Sequence, residues 1–335
     1  WSSDVCSSDL LYSGLCVLPA FPKVDSGHLR FDMYPKHQHL SPQDIPHAIA
    51  LLSQWLKARL SPEAFQWFDT ERAGLQTQPE QGRWFKALGL APRKLGKADL
   101  HPSEAELKAA QALRHGLDPT DWSVDQTARI CFTLAFHQAD DASFAHQVSL
   151  LVDTSEINEL LAIFRGFALF PHPQALEPKA REAIRSTMRP VYEAMAHRNP
   201  YPLEFFDEAA WNQMIVKAFF LDSSIWQIQG VDQRFNTDLS IMLIKLVQER
   251  WAAGRFIAPE IWRCAVPHAT PEGVGVILQA LQGKAAEAEL QVIAKVCQSH
   301  TTLCDPAIVN AVQQRPWQPN PADLPWSGFA SASYA

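Results

Sequence analysis

A chain of 335 residues that is 47% hydrophobic, 19% charged and 10% aromatic has the length for about two domains and the apolar content for a sizeable core, which excludes a mainly disordered protein. Its 29 Lys and Arg against 36 Asp and Glu give a net charge of −7, so there is no electrostatic footprint for nucleic acid or for an anionic membrane. The densest apolar run, Leu160 to Phe170, is interrupted by Arg165 and falls short of the roughly 20 residues that cross a bilayer; a soluble protein that does not span the membrane is expected.

Residues 1–43 are expected to carry no regular fold. Trp1 to Leu10 read as one translated frame of a sequencing adapter, and 11–39 hold Pro19, Pro22, Gly27 and Pro35 with no sustained period, so Met33 is a candidate native start. Without the first ten residues the net charge becomes −5, because Asp4 and Asp9 go, and five cysteines remain. An odd, scattered set without CxxC fits reduced thiols rather than a disulfide or zinc framework. His37 and His39 form an H-x-H pair with His28 and His47 nearby, but no acidic or sulfur partner has ligand spacing, and a solvated loop is the reading adopted.

From residue 44 the apolar residues recur at helical spacing. Ile45, Ile49, Leu52, Leu56 and Leu60 mark a first helix, and Ser61-Pro62 caps and starts a second. A third, near 80–89, is expected to stop at Gly89 and Pro92, leaving 91–101 as a basic loop. Helices follow near 103–116, 123–138, 141–151 and 154–169, separated by Asp-Pro, Asp-Asp and Asp-Thr-Ser steps read as N-caps, with Ser123 and Gln126 at capping-box spacing. A longer one over 177–197 is kinked or divided at Pro190. Helices at 207–221, 236–253, 259–264, 271–282, 284–300 and 305–314 precede a tail, 316–335, expected to be loose. The predicted fold is all-α: antiparallel helix pairs in an α-solenoid (HEAT-like) array, or an irregular helical bundle. No linker stands out; a boundary near 200 divides a half over 44–200 from one over 201–315.

The polar residues of the densest segment, 199–220, carry the functional reading. Asn199-Pro200-Tyr201-Pro202 is expected to be extended and Asp207 to cap a helix. Ala210, Trp211, Met214, Ile215, Ala218 and Phe219 give that helix a wide apolar face with Val216 and Phe220 opposite, so Asn212, Gln213 and Lys217 sit on an enclosed helix and need partners. Asp232, Arg234 and Asn236 cluster before the next apolar helix, where Arg234 suits an anion or a neighbouring aspartate. Arg165, inside Leu160 to Phe170, is a site residue or half of an ion pair. Pairing within the protein is the commoner fate of each of these groups.

Phosphate loops, dinucleotide fingerprints, H-E-x-x-H and G-x-S-x-G are absent. Asp140-Asp141 begins something like the aspartate-rich motif of all-α prenyl-processing enzymes, but Phe144 stands where a third carboxylate belongs. His172, His197 and His268 have no companion acid or nucleophile in sequence. No catalytic residue, metal or cofactor is assigned.

The run from Asn199-Pro200-Tyr201-Pro202 through Phe206-Asp207-Glu208-Ala209-Ala210-Trp211-Asn212-Gln213-Met214 and Lys217-Ala218, then Gly230 to Asn236, Glu249 to Arg255 and Pro259 to Arg263, resembles the EboA family of bacterial metabolite-traffic proteins, as do Arg165-Gly166 and Leu169-Phe170-Pro171. The similarity is specific from about 155 to 265 and extends back to 48. The resemblance implies a cytoplasmic protein encoded beside a prenyltransferase-like membrane enzyme and sugar-isomerase-like, dehydroquinate-synthase-like and hydrolase-like proteins, in traffic of a secondary-metabolite precursor such as the scytonemin monomer. It brings no catalytic residues. The expectation is therefore a non-catalytic binding or adaptor protein for an aromatic or prenylated metabolite, partnered with proteins of its cluster. Its ligand residues would be Arg165, Tyr201, Trp211, Asn212, Gln213, Lys217, Asp232, Arg234 and Asn236. An enzyme acting on the same precursor, or a pure scaffold, is the alternative.

Overall fold

A computed structural model describes residues 40–138 and 140–330; the leader, Met33, His28 and the H-x-H pair lie outside the described residues. Sixteen α-helices and no strand occur among the described residues, with two isolated β-bridges at Asp99–Ser123 and His197–Ile228, so the fold is all-α. In chain order they are α1 (Ile45–Lys57), α2 (Pro62–Thr77), α3 (Gln81–Leu95), α4 (Glu104–Leu113), α5 (Val124–Phe136), α6 (Asp141–Thr154), α7 (Ile157–Gly166) and α8 (Pro173–Arg185), followed by α9 (Arg189–Ala196), α10 (Tyr201–Phe205), α11 (Glu208–Phe220), α12 (Thr237–Ala252), α13 (Ile261–Ala265), α14 (Pro271–Gln279), α15 (Glu287–Ser299) and α16 (Pro306–Gln313).

α5 is the hub of the N-terminal part, packed by α1, α2, α3 and α7. Its burial on all sides suits its sequence, because every polar residue on it has an internal partner. Arg129 pairs with Asp125 at 2.8 Å, and Thr127 and Thr133 return their hydroxyls to carbonyls one turn back. From α7 onward the chain propagates by neighbouring pairs, α7 on α9, α9 on α8, α8 on α11 and α11 on α12, and then through α13 and α15 to α16. The boundary at 200 falls within this run, and the described residues belong to one compact unit.

The capping signals decide most helix starts. Ser61, Asp140, Asp207, Asn236 and Thr270 each accept a backbone N–H of the first turn of the helix that follows. Asp141 meets His137 at 2.6 Å, so the Asp-Asp step supplies a cap and a side-chain hydrogen bond. Asp118 instead caps a turn through Thr120 N–H, and Asp153 reaches Lys179, leaving Glu156 to precede α7. Pro190 divides rather than kinks the long helix, standing in the first turn of α9.

Three expectations are corrected. α3 runs through Gly89 and Pro92 to Leu95, stopping at Gly96 with φ 82°. Proline cannot donate to the carbonyl four residues back, Leu88, and that carbonyl instead accepts Arg129 Nε at 3.0 Å; the basic segment is thus partly helical, with Arg93, Lys94 and Lys97 exposed. Asn199 to Pro202 is not extended: Pro200 is helical and α10 starts at Tyr201, because Asn199 Oδ1 accepts Tyr201 N–H at 3.0 Å and closes the turn. The tail packs as far as Phe329, with Trp326 between Arg263 and Lys295, 4.2 Å and 5.1 Å from its ring centre, and Trp317 Nε1 donating to Val312 O.

Arg59, just past α1, fixes the loop into α4. It donates to Leu100 O and His101 O and grips Glu106 with two bonds of 2.8 Å and 2.7 Å. The Arg59 hydrogen bond is the main cause holding the Glu106 carboxyl down from 4.5 to about 2, with Ser103 contributing and burial opposing. A depressed acid stabilises the fold above its unfolded value and loses that contribution as the pH falls toward the folded one. The pair is partly exposed, so about 1 kcal/mol is expected. Acid titration of the folding free energy should lose that amount between pH 4.5 and 2, and Glu106→Gln should flatten this window while lowering stability at pH 7.

Candidate functional site

A cavity of about 290 Å³ opens where three connections meet. Its walls are Leu117, Asp118, Asp121 and Trp122 from the α4–α5 connection, Arg165 and Ala168 at the end of α7, Glu193 on α9, then His197, Arg198 and Asn199, with Gln227 opposite. The segment before α5 is shaped by Gly116, whose φ of 80° favours glycine and where a Cβ would stand 2.8 Å from Pro200 Cβ.

Arg198 ties the rim together. Its backbone N–H donates to Gln227 O at 2.9 Å beside the His197–Ile228 bridge. Its guanidinium donates to Asp118 Oδ2 at 2.7 Å and Asp121 Oδ2 at 2.9 Å and lies over Trp226. Asn199 is committed inward, donating to Phe164 O and accepting from Tyr201. Glu193 Oε1 accepts from Arg189 Nε and from the Ser223 hydroxyl, each at 2.7 Å.

His197 Nε2 lies 2.8 Å from Ser224 O. A carbonyl only accepts, so Nε2 carries the proton and Nδ1 is the ring's acceptor. Burial pulls the imidazole below its ordinary value, against the opposing pull of Glu193 and of the Ser224 carbonyl, so the ring is neutral at pH 7. Ser223 Oγ stands 3.2 Å from the same nitrogen, a serine, histidine and glutamate in contact. The polarity is wrong for nucleophilic activation: the serine proton goes to Glu193, and the facing ring nitrogen is a donor.

Arg165 is the distinctive group of the cavity. Its side chain bonds to Gln126 Oε1, which also accepts Ser123 N–H, and no carboxylate of the described residues lies within 4 Å of it. Burial lowers its affinity for protons, opposed by the fields of Asp121 and Glu193, and a guanidinium stays charged throughout.

Of the nine residues selected from sequence, Arg165 alone lines this cavity. Tyr201 is not among the walls; it is fully buried, its hydroxyl donating to Pro173 O. Trp211 and Asn212 are buried on α11, as the enclosed-helix reading expects. Asn212 and Asn236 exchange amide hydrogen bonds of 3.0 Å and 2.8 Å, pinning α11 to the start of α12. Gln213 accepts from Arg185, Asp232 accepts from Arg263 at 2.7 Å, and Lys217 is half-buried in the last turn of α11. Arg234 donates to Phe206 O at 2.9 Å and to Pro202 O and Leu203 O, with its guanidinium 4.7 Å from the Trp211 ring centre.

The walls not selected from the sequence, above all Asp118, Asp121, Glu193, Arg198 and the His197 set aside there, sit in or beside short non-helical connections. The one signal for them is polar residues clustering in two such connections, 118–123 and 197–199. Among the described residues no group of three or more His, Cys, Asp or Glu is placed to hold a metal ion, the four cysteines are free and buried, and no helix is long and apolar enough to cross a membrane.

Residues 48–266, which include every wall of the cavity, match the family model of metabolite traffic protein EboA. No curated protein and no solved structure matches the chain. The chain therefore belongs to the EboA family of metabolite traffic proteins.

Proposed function

We propose that this protein is a non-catalytic binding component in the traffic of a secondary-metabolite precursor, and that it carries its small molecule in the cavity between the α4–α5 connection, α7 and α9. The supporting observation is Arg165, a guanidinium in the cavity wall bonded to the neutral Gln126, with no carboxylate of the described residues within salt-bridge distance. Family membership supports a metabolite as cargo. Trp211, Asn212, Asn236 and Arg234 serve the ligand at one remove, by holding α10, α11 and α12 in place, and Asp232 by holding α13 through Arg263. The mostly polar lining suits the polar end of an aromatic precursor better than a prenyl chain. A cytoplasmic site of action and partner proteins of the same cluster complete the reading.

Native protein purified from its own cells, extracted and analysed by mass spectrometry, tests it. The expected result is a small molecule in near-stoichiometric amount, lost from Gln227→Trp, which places an indole at the cavity mouth on a half-buried position. Equal recovery of every small molecule from both proteins, at matched melting temperature, rejects the cavity as the cargo site.

A further inference from the structure

The carboxylates that line the cavity, and Asp125 beside it, already hold other cations. Asp118 and Asp121 hold Arg198, Glu193 holds Arg189, and Asp125 holds Arg129. Arg165 spends one arm of its guanidinium on Gln126, a neutral acceptor, which leaves donors of a planar fork for another acceptor. A half-buried guanidinium is stabilised by a counter-anion with bidentate geometry, and a carboxylate supplies that geometry.

The remaining walls narrow the class. Asp118, Asp121 and Glu193 line the same space, so a dianionic phosphate would meet three like charges, whereas a monoanion engages Arg165 with less repulsion. Leu117, Trp122 and Ala168 form the apolar part of the lining, the side against which a ring would pack. About 290 Å³ stands at the lower end of ligand pockets, near 300 Å³, which suits a molecule of about one ring rather than a long chain. The structure assigns the cargo to small ring-bearing monocarboxylates, with the carboxylate on Arg165 and the ring toward Trp122 and Leu117. This assignment rests on the cavity being the cargo site.

Calorimetric titration of the full chain with benzoate and 4-hydroxycinnamate, against benzamide and phenyl phosphate, tests it. Both carboxylates should bind at least tenfold more tightly than the amide and the phosphate ester. Arg165→Gln should remove that preference by a factor of ten or more, Arg165→Lys should restore part of it, and Gln227→Trp should abolish carboxylate binding, all with unchanged melting. Benzamide or phenyl phosphate binding as tightly as benzoate overturns the assignment, as does a carboxylate preference that survives Arg165→Gln or no binding of either carboxylate at millimolar concentration. A cargo that is lost from Gln227→Trp yet proves uncharged overturns the carboxylate alone and leaves the cavity standing; carboxylate binding indifferent to Gln227→Trp removes the cavity itself.

Discussion

Glu204→Ala is expected to lower the unfolding free energy by about 3 to 5 kcal/mol, the cost of stranding a buried charge by deleting its partner. Arg114 and Glu204 meet through two bonds of 2.9 Å and 2.6 Å, with side chains 0% and 5% exposed. Arg114 also donates to Ala168 O at 3.1 Å and His115 O at 2.9 Å. The pair therefore joins the end of α4, the turn after α7 and the body of α10, three segments that flank the cavity. Alanine would remove the carboxylate from a fully buried guanidinium. Glu204→Gln keeps one acceptor and should cost less. The double change to methionine at 114 and 204 should recover much of the loss, since an apolar pair of similar volume avoids the desolvation of both ions. Chemical denaturation followed by circular dichroism measures all three; a loss below about 1 kcal/mol for Glu204→Ala, the range of exposed pairs, would show that the pair is solvated.

What was legible in the sequence is local chemistry. Ser61, Asp140, Asp207 and Asn236 start their helices by bonds to residues two or three positions away, a distance over which spacing alone carries the signal. Arg165 stood out because a cation in an apolar run must find a partner. The continuation of α3 through Pro92 was not legible, since the carbonyl that proline leaves open is taken by Arg129, 41 residues away from Leu88. α10 was missed because one side-chain bond from Asn199 outweighs the preference of a pre-proline residue for extended backbone. The cavity lay further out of reach. Its rim is joined by Arg198, which reaches across about 80 positions to Asp118 and Asp121 while its own backbone pairs with Gln227, and the polar clusters at 118–123 and 197–199 do not say that they meet. Polar residues on α11 and before α12 read as a site because enclosed amides and guanidinia need partners, and spacing does not say whether the partner is a ligand or the protein.

That distinction has a measurable form at Arg234. Its guanidinium is buried against the end of α10, donating to the carbonyls of Pro202, Leu203 and Phe206, and it covers the Trp211 ring at 4.7 Å. Charged hydrogen bonds of this kind contribute about 1.5 to 3 kcal/mol when their loss leaves buried acceptors open, and a desolvated cation–π contact about 2 kcal/mol. These terms overlap on one side chain, so Arg234→Ala is expected to cost about 3 kcal/mol in thermal or chemical unfolding rather than their sum. Arg234→Lys should rescue little, because an ammonium cannot span several carbonyls while keeping a flat face on tryptophan. The binding readout separates the two roles. If Arg234 belongs to the frame, the folded fraction of Arg234→Ala keeps the benzoate affinity of the unmodified protein within about twofold, less than the roughly 1.4 kcal/mol that a tenfold change represents. If it touches cargo, affinity falls tenfold or more in step with Arg165→Gln, and the ligand site must then extend from the cavity beneath α9 to the face of α11.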